Sequence, residues 1–481
     1  MTKTCRMTTR AASRLNFALS PKLQLLLLLL LLGSSRPERI DANDEEVDRF
    51  CYPAAHRNTR LSCECSNVSA APWGMRALHI DCSYKDYKTE DLTELLPLYI
   101  DTLDLSWNKL NRAPSFNSDS LRLLNLMHNN ISAIASSNFE RVSSLRELYL
   151  GWNSIQQLEA QSFAGLPHLQ VLNLAHNNLH SLPDQIFAPL LVLSTLELSW
   201  NRQLNQTNGQ ELYKSYGINP KLDTLHLDAC NLSELKLPLD APLRELSLRR
   251  NLFQRVPGQL PAALQRLDIS ENLLEKLLPQ DAANLTQLRQ LYVEDMPLLQ
   301  GIAAHAFAPL RQVEEMSFQN SRRLSWLDGD VFVMENGYSV LPPLRILSFR
   351  GTLLRNFNVT LSPVFRKLTQ LDLNGVPLYC DCQLAWLKEL AIQTNGRCLR
   401  PARVRGMLVS SVRDDEFSCE RWPRWAYGLI ILGLIGVCAA GVYLIVMGLR
   451  PHRGVTMRRK VGAGSPYARV TIEPNRQENL H

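Results

Sequence analysis

Apolar residues recur through the middle of the chain in short alternating runs rather than in helical stripes. The segments LRELYLGWNSI (145–155), LQVLNLAHNNL (169–179), LDTLHLDACNL (222–232) and LQRLDISENLL (264–274) share the pattern L-x-x-L-x-L-x-x-N-x-L. The second apolar residue of each run falls at Leu105, Leu126, Leu150, Leu174, Leu198, Leu227, Leu248, Ile269, Val293, Phe318, Phe349 and Leu373, 21 to 31 residues apart and about 24 on average. A period in this range marks stacked units, none of which buries its apolar side alone. Alternation predicts one short strand per repeat with every second side chain inward. Stacking then makes a parallel sheet on one side of a curved solenoid. The Asn after each strand (Asn108, Asn129, Asn153, Asn177, Asn201, Asn251, Asn272) is predicted to turn its amide inward and satisfy backbone groups between coils. Cys230 takes that place in its repeat, so a buried, unpaired structural thiol is expected. Met296, Ser321, Thr352 and Val376 stand there later, and repeats nine to twelve are expected to be less regular. Phe139, Phe163, Phe187 and Phe307 recur in the return segments and are expected to pack between coils.

Two longer apolar runs carry no such alternation. Basic residues lead into Leu23–Leu32 and then Gly33-Ser34-Ser35, the pattern of a cleaved secretory leader. A signal anchor is the competing reading, disfavoured because a span needs about 20 apolar residues. Trp425–Leu449 has no charged residue and is followed by Arg450, Arg453, Arg458, Arg459 and Lys460, which places that side in the cytosol by the positive-inside rule. The overall charge of +6 resides in these ends. Residues 1–33 carry +5 and residues 450–481 carry +5, which leaves residues 34–449 at −4 and removes any argument for nucleic acid. Six N-x-S/T sequons, at Asn67, Asn130, Asn205, Asn231, Asn284 and Asn358, all precede the second apolar run. The expected form is a single-pass type I glycoprotein of the plasma membrane, its N-terminus outside. Outside the leader and the span, cysteines form two sets of four around the lone Cys230: Cys51, Cys63, Cys65, Cys82 and Cys380, Cys382, Cys398, Cys419. In an oxidising compartment such sets are disulfides; zinc is the alternative, though no His completes either set.

The repeat template, with one cysteine set before it and C-D-C-Q-L-A-W-L (380–387) after it, resembles the extracellular leucine-rich-repeat membrane receptor and adhesion family across residues 51–420. The resemblance implies an α/β leucine-rich-repeat solenoid of about twelve repeats, with a parallel sheet on its concave face and a disulfide cap at each end. It also implies pairing Cys51–Cys65, Cys63–Cys82, Cys380–Cys398 and Cys382–Cys419. The expected organisation is a leader (1–35), an acidic linker (36–50), an N-terminal cap (51–97), repeats (98–378), a C-terminal cap with a short stalk (379–424), a transmembrane helix (425–449) and a cytoplasmic tail (450–481). Asn201–Lys221 and Asp328–Pro343 stretch the period, either as binding loops or as tolerated drift.

No H-E-x-x-H, G-x-S-x-G, phosphate loop or kinase signature occurs, so no enzyme, cofactor or metal site is expected. The 32-residue tail is too short for a folded signalling domain. Tyr467 and the basic cluster in that tail are open to a regulatory role or to none. A surface molecule that recognises an extracellular or membrane protein follows, as receptor, co-receptor or adhesion protein. The alternatives are a cis-acting regulator of another receptor's trafficking and a ligand-sequestering decoy. Cis association or homodimerisation is compatible with Gly436 and Ala440, a small-x-x-x-small pair. The residue before the ladder Asn is Trp107, His128, Trp152, His176 and Trp200 in repeats one to five, then Ala229, Arg250, Glu271 and Asp295. The aromatic five are predicted to stand in one column at the edge of the strand face. They either pad the adjacent coil or form a contact patch for a partner.

Overall fold

The computed structural model describes residues 63–69, 76–92, 100–204, 212–392, 394–417 and 424–448. The expectations for the leader, the acidic linker, Cys51, Asn205, Cys419 and the tail lie outside those residues.

Each repeat contributes one three-residue strand whose central side chain is inside; its neighbours are half-exposed in the first nine repeats, while Ser317 and Ser348 are buried in later ones. Leu103, Leu124, Leu148, Leu172, Leu196, Leu225, Leu246 and Leu267 occupy these centres at zero exposure. Thr102–Asp104 pairs in parallel with Leu123–Asn125, and this pairing passes strand to strand as far as Gln370–Asp372. Among the described residues the sheet has fourteen strands. Twelve belong to the repeats, as the apolar period predicts. The other two form an antiparallel hairpin, Glu64–Ser69 with Arg76–Asp81, whose second strand continues the sheet onto the first repeat. That hairpin closes the N-terminal end of the solenoid, where an apolar layer would otherwise meet water. Cys63–Cys82 staples it, with Cα atoms 4.5 Å apart.

The return side is built from turns, two-residue strands, 3-10 segments and two short helices, Leu212–Tyr216 and Ser362–Phe365. Phenylalanines fill the space between coils. Phe116 lies parallel to Phe139 and Phe163 to Phe187, with centroids 6.5 and 6.3 Å apart. In the later repeats Phe307, Phe318, Phe349, Phe357 and Phe365 follow one another at 5.3–5.8 Å and end on Trp386. The Trp386 indole N–H donates to the Phe357 carbonyl and ties the C-terminal cap to the last coils. Cys380–Cys398 closes that cap. Cys65 and Cys382 are also disulfide-bonded, and their expected partners Cys51 and Cys419 lie outside the described residues.

Of the two segments that stretch the period, the first holds the helix Leu212–Tyr216, against which Phe187 N–H donates to Tyr216 C=O. The second folds into a tight turn, with Met334 N–H donating to Tyr338 C=O and Tyr338 N–H to Asn336 Oδ1, and leaves Tyr338 73% exposed. Arg424–Gly448 forms a 25-residue helix, which belongs to the second of the two compact units into which the chain divides. Its stretch Gly428–Ile445 has a mean hydropathy of 2.5, long and apolar enough to cross a membrane.

Candidate functional site

The ladder Asn shows why the strand edge has its shape. Asn177 Nδ2 donates to the carbonyls of Leu150, Leu174 and Ala175, and its Oδ1 accepts from Ile155 N–H, all out of contact with water. Asn108, Asn129, Asn153, Asn201, Asn251 and Asn272 bond in the same way. In place of the amide, the Cys230 side chain offers sulfur contacts to the carbonyls of Leu198 at 3.4 Å and Asp228 at 3.5 Å. Its thiol is free and buried, and burial pushes its pKa up to about 12. In the later repeats Ser321 Oγ donates to Val293 C=O and Thr352 Oγ1 to Phe349 C=O, shorter substitutes for the amide.

Bringing that Asn inward four residues past the strand places the residue before it in the left-handed region. Trp107, His128, Trp152, His176 and Trp200 have φ of 56°, 53°, 55°, 54° and 63°. Ala229, Arg250, Glu271, Asp295 and Asn320 continue at 52–58°, and Gly351 and Gly375 complete the column. Such a backbone is uncommon outside glycine and worst for β-branched residues, and the column contains no Val, Ile or Thr. From Trp107 to Gly351 each N–H in the column donates to a carbonyl of the next repeat, for example Trp107 to Met127 and Trp152 to Ala175, which holds the conformation.

The left-handed turn throws these side chains off the edge of the sheet, where they stack. Ring centroids are 3.7 Å apart for Trp107–His128, 5.1 Å for His128–Trp152, 3.7 Å for Trp152–His176 and 5.0 Å for His176–Trp200, all within 19° of parallel. Tyr84, in the N-terminal hairpin's following turn, adds a sixth ring 5.2 Å from Trp107. The sequence pattern did not point to Tyr84, because no ladder Asn follows it. The row of rings ends at Trp200, where the sequence turns from aromatic residues to Ala229, but side-chain contacts continue beyond it. Arg250 reaches back over Ala229 and sets its guanidinium 4.9 Å from the Trp200 ring, and Arg202 lies 5.3 Å from the same ring. Beyond Arg250 the contacts become ionic: Arg250 to Glu271 at 3.4 Å, Glu271 to Arg249 at 2.7 Å, Arg249 to Asp295 at 3.6 Å.

Stacking covers the ring faces and leaves their edges to solvent. Trp107 and Trp152 remain 47% and 48% exposed, while His128 and His176 are half-buried between them. Burial lowers the pKa of both histidines and so disfavours their charged form. Not every histidine faces solvent alone. On the strand face beside the ladder, His226 Nδ1 lies 2.7 Å from Glu197 and Nε2 3.6 Å from Glu245. The hydrogen bond to Glu197 raises the His226 pKa against the opposing effect of burial. In Glu197, burial raises the pKa, but the bonds from His226 and Ser199 outweigh it and the net shift is down. Burial raises Asp228 nearby.

Of the sequon asparagines, Asn130, Asn284 and Asn358 are exposed. Asn231 is half-buried, and its amide donates to Arg202 C=O at 2.8 Å. Asn67 lies in the strand Glu64–Ser69. Among the described residues no group of three or more His, Cys, Asp or Glu is arranged to hold a metal.

Repeat-level comparison agrees with this geometry. The leucine rich repeat family model matches residues 119–179, 153–202 and 241–298. Podocan-like protein 1 of Homo sapiens is 31% identical over 114 residues, covering 22% of this chain and 22% of its own length. Nephrocan of Mus musculus is 26% identical over 197 residues, 37% of this chain and 38% of its own. Leucine-rich repeat and fibronectin type-III domain-containing protein 4 of Rattus norvegicus is 27% identical over 159 residues, 33% of this chain and 21% of its own. The chain thus spans 21–38% of the length of these relatives. Among solved structures, the leucine-rich repeat domain of APL1B aligns with a TM-score of 0.46 and 18% identity, over 66% of this chain and 87% of that one. The chain is a leucine-rich-repeat protein with a disulfide at each end of its solenoid.

Proposed function

We propose that the chain is a cell-surface molecule that recognises another protein, as a receptor, co-receptor or adhesion protein, through the N-terminal half of its concave side. The observation that carries this reading is the exposed aromatic ladder. The leucines at the strand centres are buried, yet two indoles at the strand edge stand half in water within a continuous row of rings. Large exposed aromatic edges in one contiguous strip mark contact sites, and Trp is enriched among the residues that dominate interface energies. Core padding is the rival explanation, but padding does not require the edges of Trp107 and Trp152 to be wet. The disulfides and the exposed sequon asparagines support an extracytoplasmic solenoid, and the helix Arg424–Gly448 supports anchoring in a membrane with the N-terminus outside.

The test uses the full-length protein in detergent or nanodiscs, screened against an array of purified extracellular domains. Trp152→Ala is expected to reduce binding to the recognised domain at least tenfold while leaving the unfolding midpoint within a few degrees of wild type. Normal binding by a folded Trp152→Ala protein would make the ladder structural and defeat the reading.

A further inference from the structure

The three tryptophans of the ladder sit two repeats apart, with the smaller imidazoles in the valleys between them. Summing the ring separations puts Trp107 and Trp152 at most 8.8 Å apart, and Trp152 and Trp200 at most 8.7 Å apart. The row is therefore a corrugated edge with a pitch near 9 Å. A partner segment that fits it presents side chains on one face at that interval. An α-helix repeats a face every seven residues, or about 10.5 Å, and drifts out of step by about 3.5 Å over three ridges. A β-strand presents one face every 6.6–6.8 Å or so and fails at the first step. A polyproline II helix has three residues per turn and a rise of about 3.1 Å, so every third residue returns after about 9.3 Å. Over the whole row that accumulates a mismatch of only about 1 Å.

Two further features agree with this match. The indole N–H groups of Trp107, Trp152 and Trp200 have no acceptor among the described residues, whereas Trp386 spends its N–H on Phe357. A polyproline II segment forms no internal hydrogen bonds and so carries unpaired carbonyls to meet such donors. At the end of the row, Arg202 and Arg250 place two guanidinium groups against Trp200, and Arg202 has no carboxylate partner among the described residues. Resting on the recognition reading above, we propose that the ladder docks an extended proline-rich segment of a partner protein. Its prolines, three residues apart, settle over His128 and His176, and an acidic residue beyond them meets Arg202.

Fluorescent peptides measured against the full-length protein test this. A nine-residue peptide with proline at every third position and a terminal Asp-Glu is expected to bind. The same composition with prolines at every second position is expected to bind at least tenfold more weakly. Trp152→Phe keeps a ring in the stack but removes one donor, and should weaken the spaced peptide about three- to tenfold. Arg202→Ala should abolish the preference for the acidic end. Equal binding of both spacings, or no loss in folded Trp152→Phe, overturns the proline-rich partner. If Trp152→Ala still loses the array-selected protein in that case, the recognition reading stands and only the partner's conformation is wrong. If neither peptide nor protein depends on Trp152, both fail together.

Discussion

His128, His176 and His226 belong to one face of one solenoid, yet their surroundings move them in opposite directions. Burial between indoles disfavours the imidazolium of His128 and His176. The Glu197 carboxylate favours it in His226. A lowered histidine pKa contributes stability above the ordinary value of about 6.5 and loses it as the pH falls toward the folded pKa. A raised one contributes below about 6.5 and loses it as the pH rises through the folded pKa. Imidazole resonances followed by NMR should therefore titrate below 6.5 for His128 and His176 and above it for His226. A common midpoint for all three would contradict this geometry. The ladder asparagines make a second residue-scale expectation. Asn251 is 3% exposed, donates to Leu227, Leu248 and Arg249 carbonyls and accepts from Cys230 and Leu232 N–H groups. Asn251→Ala orphans several buried groups at about 1–3 kcal/mol each. Urea titration should show a loss of at least about 2 kcal/mol, whereas Ser321→Ala, with one bond donated and one accepted, should lose about 1 kcal/mol. The inward asparagines were legible from their spacing alone. The left-handed backbone just before them was not, because Trp and His carry no glycine-like signal for it.

Coils depend on how closely their backbones approach. A Cβ added at Gly165 would lie 2.4 Å from the Phe139 carbonyl oxygen and 2.6 Å from Glu140 Cα, both main-chain atoms of the neighbouring coil. Gly165→Ala must push two repeats apart, and a loss of about 1–3 kcal/mol in denaturant unfolding is expected. At Gly258 nothing lies within 4 Å of the added atom, so Gly258→Ala serves as the neutral comparison. The end elements behave differently, since they close the solenoid rather than continue it. Removing the Cys380–Cys398 bond should cost about 2–5 kcal/mol. Cys380→Ser is accordingly expected to be retained in the secretory pathway, and Cys230→Ala to reach the surface, by surface biotinylation. Equal delivery of both would refute the cap assignment. Both described disulfides join cysteines that the resemblance paired. The antiparallel hairpin that carries the first of them had no sequence signal beyond its cysteines, because an end strand lacks the repeat that reveals the others.

For the molecule as a whole, the proposed topology predicts that glycosidase lowers the apparent mass of the mature protein and that an antibody to residues 450–481 stains only permeabilised cells. Staining of intact cells would reverse the orientation. The number of coils, the strand in each, the inward leucines and asparagines and the apolar helix follow from local pattern, because a repeat protein contacts chiefly its own neighbours and every unit restates the same rule. Sequence also brought Trp107, His128, Trp152, His176 and Trp200 into one column. Whether those rings would cover the coil or meet the solvent depended on the turn angle at the strand end and on stacking across repeats, neither of which is encoded in any one of them. Tyr84 joined the row, and Arg250 bridged the gap at Ala229, through contacts between residues 23 and 50 positions apart. Periodicity determines what lies inside a solenoid because burial repeats with the chain; its exposed edge is decided only when neighbouring coils set their side chains against one another.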